Sequence, residues 1–125
     1  MKKLATISKF SVLVTVLGIL VFTTSCKKTK PCEEKNTFTL TVKNTALSGN
    51  LNFNVDKDFI AINSPGDYSV APGETLSIDL SAGSHTIKAR NIRTSCSGGR
   101  CSTTVTGQPE KAANQGSCQE AVLVY

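Results

Sequence analysis

From Thr37 to Lys43 the chain alternates without a break. Phe38, Leu40 and Val42 are apolar; Thr37, Thr39, Thr41 and Lys43 are polar. A period of two, rich in β-branched residues, predicts a strand with one face buried. Leu51, Phe53 and Val55 repeat it against Asn52, Asn54 and Asp56, and Leu76, Ile78 and Leu80 repeat it against Thr75, Ser77 and Asp79. In each case the polar set is expected to face water. Weaker strands are predicted over 59–62, 68–70, 85–92, 102–106 and 120–125. The last of these reads Ala121-Val122-Leu123-Val124-Tyr125, apolar on both faces, which predicts a central strand. Residues 108–117 are polar and predict a loop or a single helical turn. No long stretch after the first 36 residues carries a helical period.

Turn compositions separate the runs: Ser48-Gly49-Asn50, Ser64-Pro65-Gly66-Asp67, Ala71-Pro72-Gly73-Glu74 and Ala82-Gly83-Ser84. Short strands at this spacing predict an all-β sandwich over 37–125. The stretch from Ala71-Pro72-Gly73-Glu74 through Ala82-Gly83-Ser84-His85-Thr86-Ile87 resembles the turn–strand–turn of PEGA-type and other immunoglobulin-like surface modules. The resemblance implies an immunoglobulin-like fold and no particular function.

The first 25 residues follow a different plan. Met1 to Lys9 is a positive start carrying Lys2, Lys3 and Lys9, and Phe10 to Phe22 is a mainly apolar run. Spanning a bilayer as a helix takes about 20 apolar residues. The shorter run predicts a cleavable export signal, with an uncleaved signal anchor as the alternative. Thr23, Thr24 and Ser25 give a small, uncharged approach to Cys26, and at Ser25-Cys26 the chain resembles the lipobox of bacterial lipoproteins. Thr23 departs from the aliphatic residue usual there. The resemblance implies cleavage before Cys26 and acylation of its thiol with diacylglycerol and acyl chains. Membrane lipid is then the first partner, since more than one chain makes anchoring stable. Lys27 in place of an aspartate resembles the Gram-negative pattern that sends lipoproteins to the outer membrane. Residues 26–36, polar and interrupted by Pro31, read as a short tether.

Charge and cysteine content sharpen this picture. The formal net charge is +5, but from Pro31 onward eight basic side chains face nine acidic ones. The excess sits in the leader and beside Cys26, where lysines near anionic headgroups contribute about 1 kcal/mol each. A nucleic-acid partner would need clustered Lys and Arg on the folded surface and is not expected. Five cysteines are an odd set. With Cys26 assigned to lipid, Cys32, Cys96, Cys101 and Cys118 form an even set, which in an oxidising compartment predicts two disulfides. Three connectivities are open. Preferred is Cys96 with Cys101, because Ser97-Gly98-Gly99-Arg100 suits a hairpin tip; Cys32 then takes Cys118. Six peptide units from Cys26 to Cys32 span at most about 20 Å, which predicts a membrane-proximal module.

No catalytic or metal-binding motif emerges. His85 is the sole histidine, and its strand parity with Ile87 and Ala89 predicts a partly buried ring. A zinc set of the four cysteines competes poorly with disulfides, because the Cys-x4-Cys spacing is not that of metal pairs. The row Asn50, Asn52, Asn54, Asp56, Asp58 lacks the Gly and closing Glu of a calcium loop and reads as a strand's solvent face. No Gly-x-Ser-x-Gly elbow is present. Tyr68 and Tyr125, without any Trp, make a poor carbohydrate platform. Arg90, Arg93 and Arg100 near the expected Cys-bridged hairpin are the candidate binding residues, because Arg suits bidentate contact with carboxylate or phosphate. The expectation is a non-enzymatic binding or scaffolding lipoprotein of the cell envelope, with another envelope protein as partner. The alternative is an envelope enzyme with a site assembled from His85, Asp56 and Asp58.

Overall fold

The computed structural model describes residues 29–125, so the leader and Cys26 lie outside the described residues. One helical turn, α1 (Pro31–Lys35), precedes eight strands: β1 (Thr37–Lys43), β2 (Asn50–Val55), β3 (Tyr68–Val70), β4 (Thr75–Ser81), β5 (Gly83–Ser97), β6 (Arg100–Gly107), β7 (Lys111–Gln115) and β8 (Glu120–Val124). They form two sheets. One has the order β4-β1-β8, with β1 antiparallel to β4 and parallel to β8. The other has the order β3-β2-β5-β6, with β7 also on β5, all antiparallel. The chain is thus a small all-β sandwich, stapled by disulfides Cys32–Cys118 and Cys96–Cys101.

The core follows from the alternation. Phe38, Leu40 and Val42 of β1 are fully buried and meet Leu51, Phe53, Ile87 and Ala89 from the facing sheet. Leu76, Ile78 and Leu80 of β4 close one side, half-buried. Every core residue and both disulfides lie within residues 38–121 or are tied to them from Cys32. The stretch 29–125 therefore folds around a core of its own.

Polar inserts fix the corners. Asn44, buried at the end of β1, donates from Nδ2 to the carbonyls of Gly49 (3.1 Å) and Val70 (3.0 Å) and accepts the Ala46 N–H at Oδ1. It ties β1 to both turns of the facing sheet. At Gly83 (φ 138°) the chain leaves β4 in one sheet and enters β5 in the other, a backbone conformation that side chains disfavour.

Several local expectations are corrected. Within 26–36, residues 31–35 are a helical turn rather than loose tether. Pro31 sits at its start and Asn36, left-handed at φ 51°, closes it by donating its N–H to Cys32 O and Glu33 O. Residues 111–115 are strand β7, and 59–62 are not a strand at all. β6 and β7 lie end to end along one edge of β5. Gln108, Pro109 and Glu110 stand opposite only Lys88 and Ala89, a one-residue bulge that lets Pro109 sit where no ladder N–H is needed. β8 is an edge strand, not a central one. Ala121 and Leu123 face the core while Val122 and Val124 are exposed.

Asn52 and Asn54 are buried rather than facing water. Loop 56–67 folds back over the outer face of β2. Asn54 donates to Asp58 O (3.1 Å) and accepts the Asp67 N–H (2.8 Å), so its amide holds both ends of that loop. Gly66 lies so close to β2 that a Cβ there would come within 2.6 Å of Phe53 O.

Candidate functional site

The two ends of the sandwich differ, and the difference organises the candidate sites. At one pole sit α1, Cys118, the start of β1, the end of β4 and the start of β5. The Ala82 N–H donates to Asn36 O and the Cys118 N–H to Thr37 O, which pins these pieces together. Cys32–Cys118 locks the same pole, and the Ser117 hydroxyl donates to Cys32 O (2.8 Å).

From this pole β5 runs the whole length of the domain. Its 15 residues extend about 46 Å at about 3.3 Å per residue. β2 leaves it at Ile92, opposite Asn50. Beyond that point β5 and β6 continue alone as a two-stranded finger. All side chains of 93–104 are exposed. Gly98 (φ 59°) and Gly99 (φ 75°) form its two-residue tip, since two successive positive φ values make the tight turn whose twist matches the strands. Cys96 and Cys101 face each other one pair below the tip, 4.0 Å apart at Cα, and are bridged. Thr94–Thr103 and Ser95–Ser102 hydroxyl pairs line the finger. An isolated hairpin is marginal in water; the disulfide holds this one.

The three arginines part company here. Arg93 and Arg100 are exposed on the finger, Arg93 opposite Thr104 and Arg100 opposite Ser97. From Leu80 to Pro109 no acidic residue occurs in the chain, so the finger is basic and uncompensated along its own strands. Arg90 is not part of that surface: it is buried rather than exposed beside the other two. Only 6% exposed, it points to the other face of β5, donates to Ile62 O (2.7 Å), Ser64 O and Ser64 Oγ, and carries the Phe59 ring 3.6 Å from its guanidinium carbon. It pins loop 56–67 to the sheet, and burial lowers its pKa from the ordinary value.

His85 and Asp56, 29 residues apart, do meet. The Nδ1–H of His85 donates to Asp56 Oδ2 at 2.5 Å, and Nε2–H donates to Ser81 O at 2.8 Å. Both partners are acceptors, so the protonated ring, with hydrogen on both nitrogens, is the form that satisfies both contacts. The Asp56 carboxylate and then the Ser81 carbonyl raise its pKa above the ordinary 6.5. Asp56 Oδ1 also accepts the Thr86 N–H (2.7 Å), which with His85 holds its pKa below the ordinary value. Ser81 Oγ is 3.4 Å from Nε2, so serine, histidine and aspartate do line up. The shorter contact to Ser81 O takes the nitrogen that a general base would use on the hydroxyl. The ring instead ties β5 to the end of β4 across the mouth of the sandwich, with Phe38 beside it at 5.7 Å. Asp58 stands apart and pairs with Lys88 (2.5 Å). The Asn50–Asp58 row is likewise dispersed, two members buried, one on His85 and one on Lys88. Among the described residues no three His, Cys, Asp or Glu side chains gather as a metal-binding group.

The sequence grouped His85 with Asp56 in its alternative reading and missed two things here: the finger's length and the place of Ser81 beside that pair. The first had a signal in the hydroxyl-rich run Thr94 to Thr106 on both sides of Gly98-Gly99. The second had none, since it depends on how the two sheets close. Compared with family models, with curated proteins and with solved structures, the chain matches none of them.

Proposed function

We propose that this chain is the precursor of a membrane-anchored lipoprotein of the bacterial envelope, acting as a non-enzymatic binding or scaffolding module. Cys26 carries the lipid, and the finger at residues 93–104 is the docking element for another envelope protein. The observation that supports this most is polarity. The residues that follow Cys26 are stapled at one pole, and the exposed, disulfide-braced finger leaves the opposite pole. An anchored domain built this way presents Arg93 and Arg100 tens of ångströms from the bilayer, on a rigid ribbon that loses little entropy on binding. Its basic, acid-free strands suit an acidic partner surface. The reading of an envelope enzyme draws less support, because both nitrogens of the histidine it needs as base face acceptors of the fold itself, Asp56 Oδ2 and Ser81 O.

The test is site-specific photo-crosslinking in intact envelopes. A photoreactive residue at Ser97 should trap a defined partner, and the adduct should vanish in an Arg93→Glu/Arg100→Glu background. The same probe at Glu33, at the stapled pole, should trap none. No adduct from Ser97, or one indifferent to the charge reversal, contradicts the proposal.

A further inference from the structure

The outer face of the five-stranded sheet is covered only in part by loop 56–67. Between that loop and β6 lies an open groove of about 540 Å³, within the size range of small-molecule sites. Phe59 and Ile62 of the loop and Val105 of β6 give it apolar walls, and Arg90, Lys88 and Glu110 line it as well. Ile62 stands 78% exposed on the lip, beside Ile60 at 98%. A loop that buries Asn54 and Arg90 beneath it while leaving two isoleucines in water has its apolar side turned toward something other than its own core.

The charges in the groove are unequal. Lys88 is matched, held by Asp58 at 2.5 Å and Glu110 at 3.6 Å. Arg90 is not. Among the described residues no carboxylate comes within ion-pair distance of it. Its bonds run only to neutral oxygens, and its buried Nε–H has no acceptor. A guanidinium has five donors, and a buried, unmatched cation is costly unless a countercharge arrives.

We infer that this groove binds a small amphiphile, an apolar chain ending in a single carboxylate, with the chain along Phe59, Ile62 and Val105 and the carboxylate as the countercharge to Arg90. Phe59, half-buried, lies over the guanidinium at 3.6 Å, so the carboxylate would reach Nε–H by displacing the edge of that ring. A cationic amphiphile of equal length meets the same walls and the wrong charge.

Residues 29–125 titrated calorimetrically with decanoate and decyltrimethylammonium below their micellar concentrations, and with decanol below its solubility limit, test this. Decanoate should bind one to one, at least tenfold more tightly than decanol, and decyltrimethylammonium should give no measurable binding. Val105→Trp fills the groove without touching any bond of Arg90 and should abolish decanoate binding in a protein whose thermal unfolding remains cooperative. Arg90→Met should remove the preference for decanoate over decanol; should that variant fail to fold, Val105→Trp and the three-ligand comparison still decide. Absence of decanoate binding, equal affinity for all three amphiphiles, or decanoate binding unchanged by Val105→Trp overturns the inference.

Discussion

Removing the two disulfides one at a time should have very different consequences. Cys32–Cys118 closes a loop of 86 residues' separation, and Cys96–Cys101 one of only 5. Chain entropy alone assigns about 4.6 kcal/mol to the first and about 2.2 kcal/mol to the second. The structure widens that gap. The long loop contains nearly the whole core, so reduction loosens the unfolded chain and leaves the folded one still fixed by its sheets. The short loop lies in a finger whose residues 93–104 are all exposed and contribute no core side chain. Once reduced, that finger frays within the native state and recovers entropy there as well, so its loss should cost the domain under about 1 kcal/mol. A domain of this size is stable by roughly 5–15 kcal/mol, and each kcal/mol shifts the midpoint by about 4–8 °C. Cys32→Ser/Cys118→Ser should therefore lower Tm by about 20–35 °C, and Cys96→Ser/Cys101→Ser by only a few degrees. Calorimetry on residues 29–125 reads both, and amide exchange should show fraying confined to 93–104 in the second variant. Comparable shifts for the two pairs, or a larger one for the finger, would refute the reasoning.

Further expectations follow from the polar corners. Asn44→Ala removes the side-chain donor to Val70 O and the acceptor of the Ala46 N–H, while Gly49 O keeps Asn91 Nδ2 at 3.2 Å; it should cost about 2–3 kcal/mol in urea unfolding. Gly66→Ala forces a Cβ against the backbone of Phe53; a loss of about 1–3 kcal/mol, with faster amide exchange across 56–67, is expected. The His85–Asp56 pair makes stability depend on pH from both sides. His85 has a raised folded pKa, so its contribution is complete below about 6.5 and fades as pH rises through the folded value. Asp56 has a lowered one, so its contribution is complete above about 4 and fades as pH falls through the folded value. Tm should thus be highest between pH 4 and 6.5, and His85→Ala should flatten the alkaline limb; an alkaline limb unchanged in that variant would assign it to other groups.

What could be read from the sequence was decided by alternation where one sheet face meets water. β1 and β4 show this plainly: Thr39 donates to Asp79 and Thr41 bonds Ser77 on the open face, with Phe38, Leu40 and Val42 beneath. The same logic misled on β2. Its polar face is covered by loop 56–67; Asn54 holds that loop, and the buried Asn52 donates to Asn50 O of its own strand. Arg90 was placed with Arg93 by nearness in sequence, yet three residues along a strand put them on opposite faces. β8 has apolar residues on both faces and still ends at an edge. There Tyr125 carries Lys111 over its ring at 4.1 Å, and burial pushes its hydroxyl up to about 12. β7, Lys-Ala-Ala-Asn-Gln, has no strand signature of its own. It is a strand because β5 offers an unpaired edge beyond the bulge at 108–110. The disulfide pairing was favoured by the Gly98-Gly99 tip, while the His85 bridge depends on the closure of two sheets, which no local pattern encodes.

The proposed anchoring at one pole and presentation at the other both rest on Cys26. Intact mass of the protein extracted from membranes, alkylated with and without prior reduction, tests it most directly. The account predicts a chain beginning at Cys26 with acyl chains added, and four cysteines that alkylate only after reduction. A mass retaining the leader, or an unacylated Cys26, would contradict it.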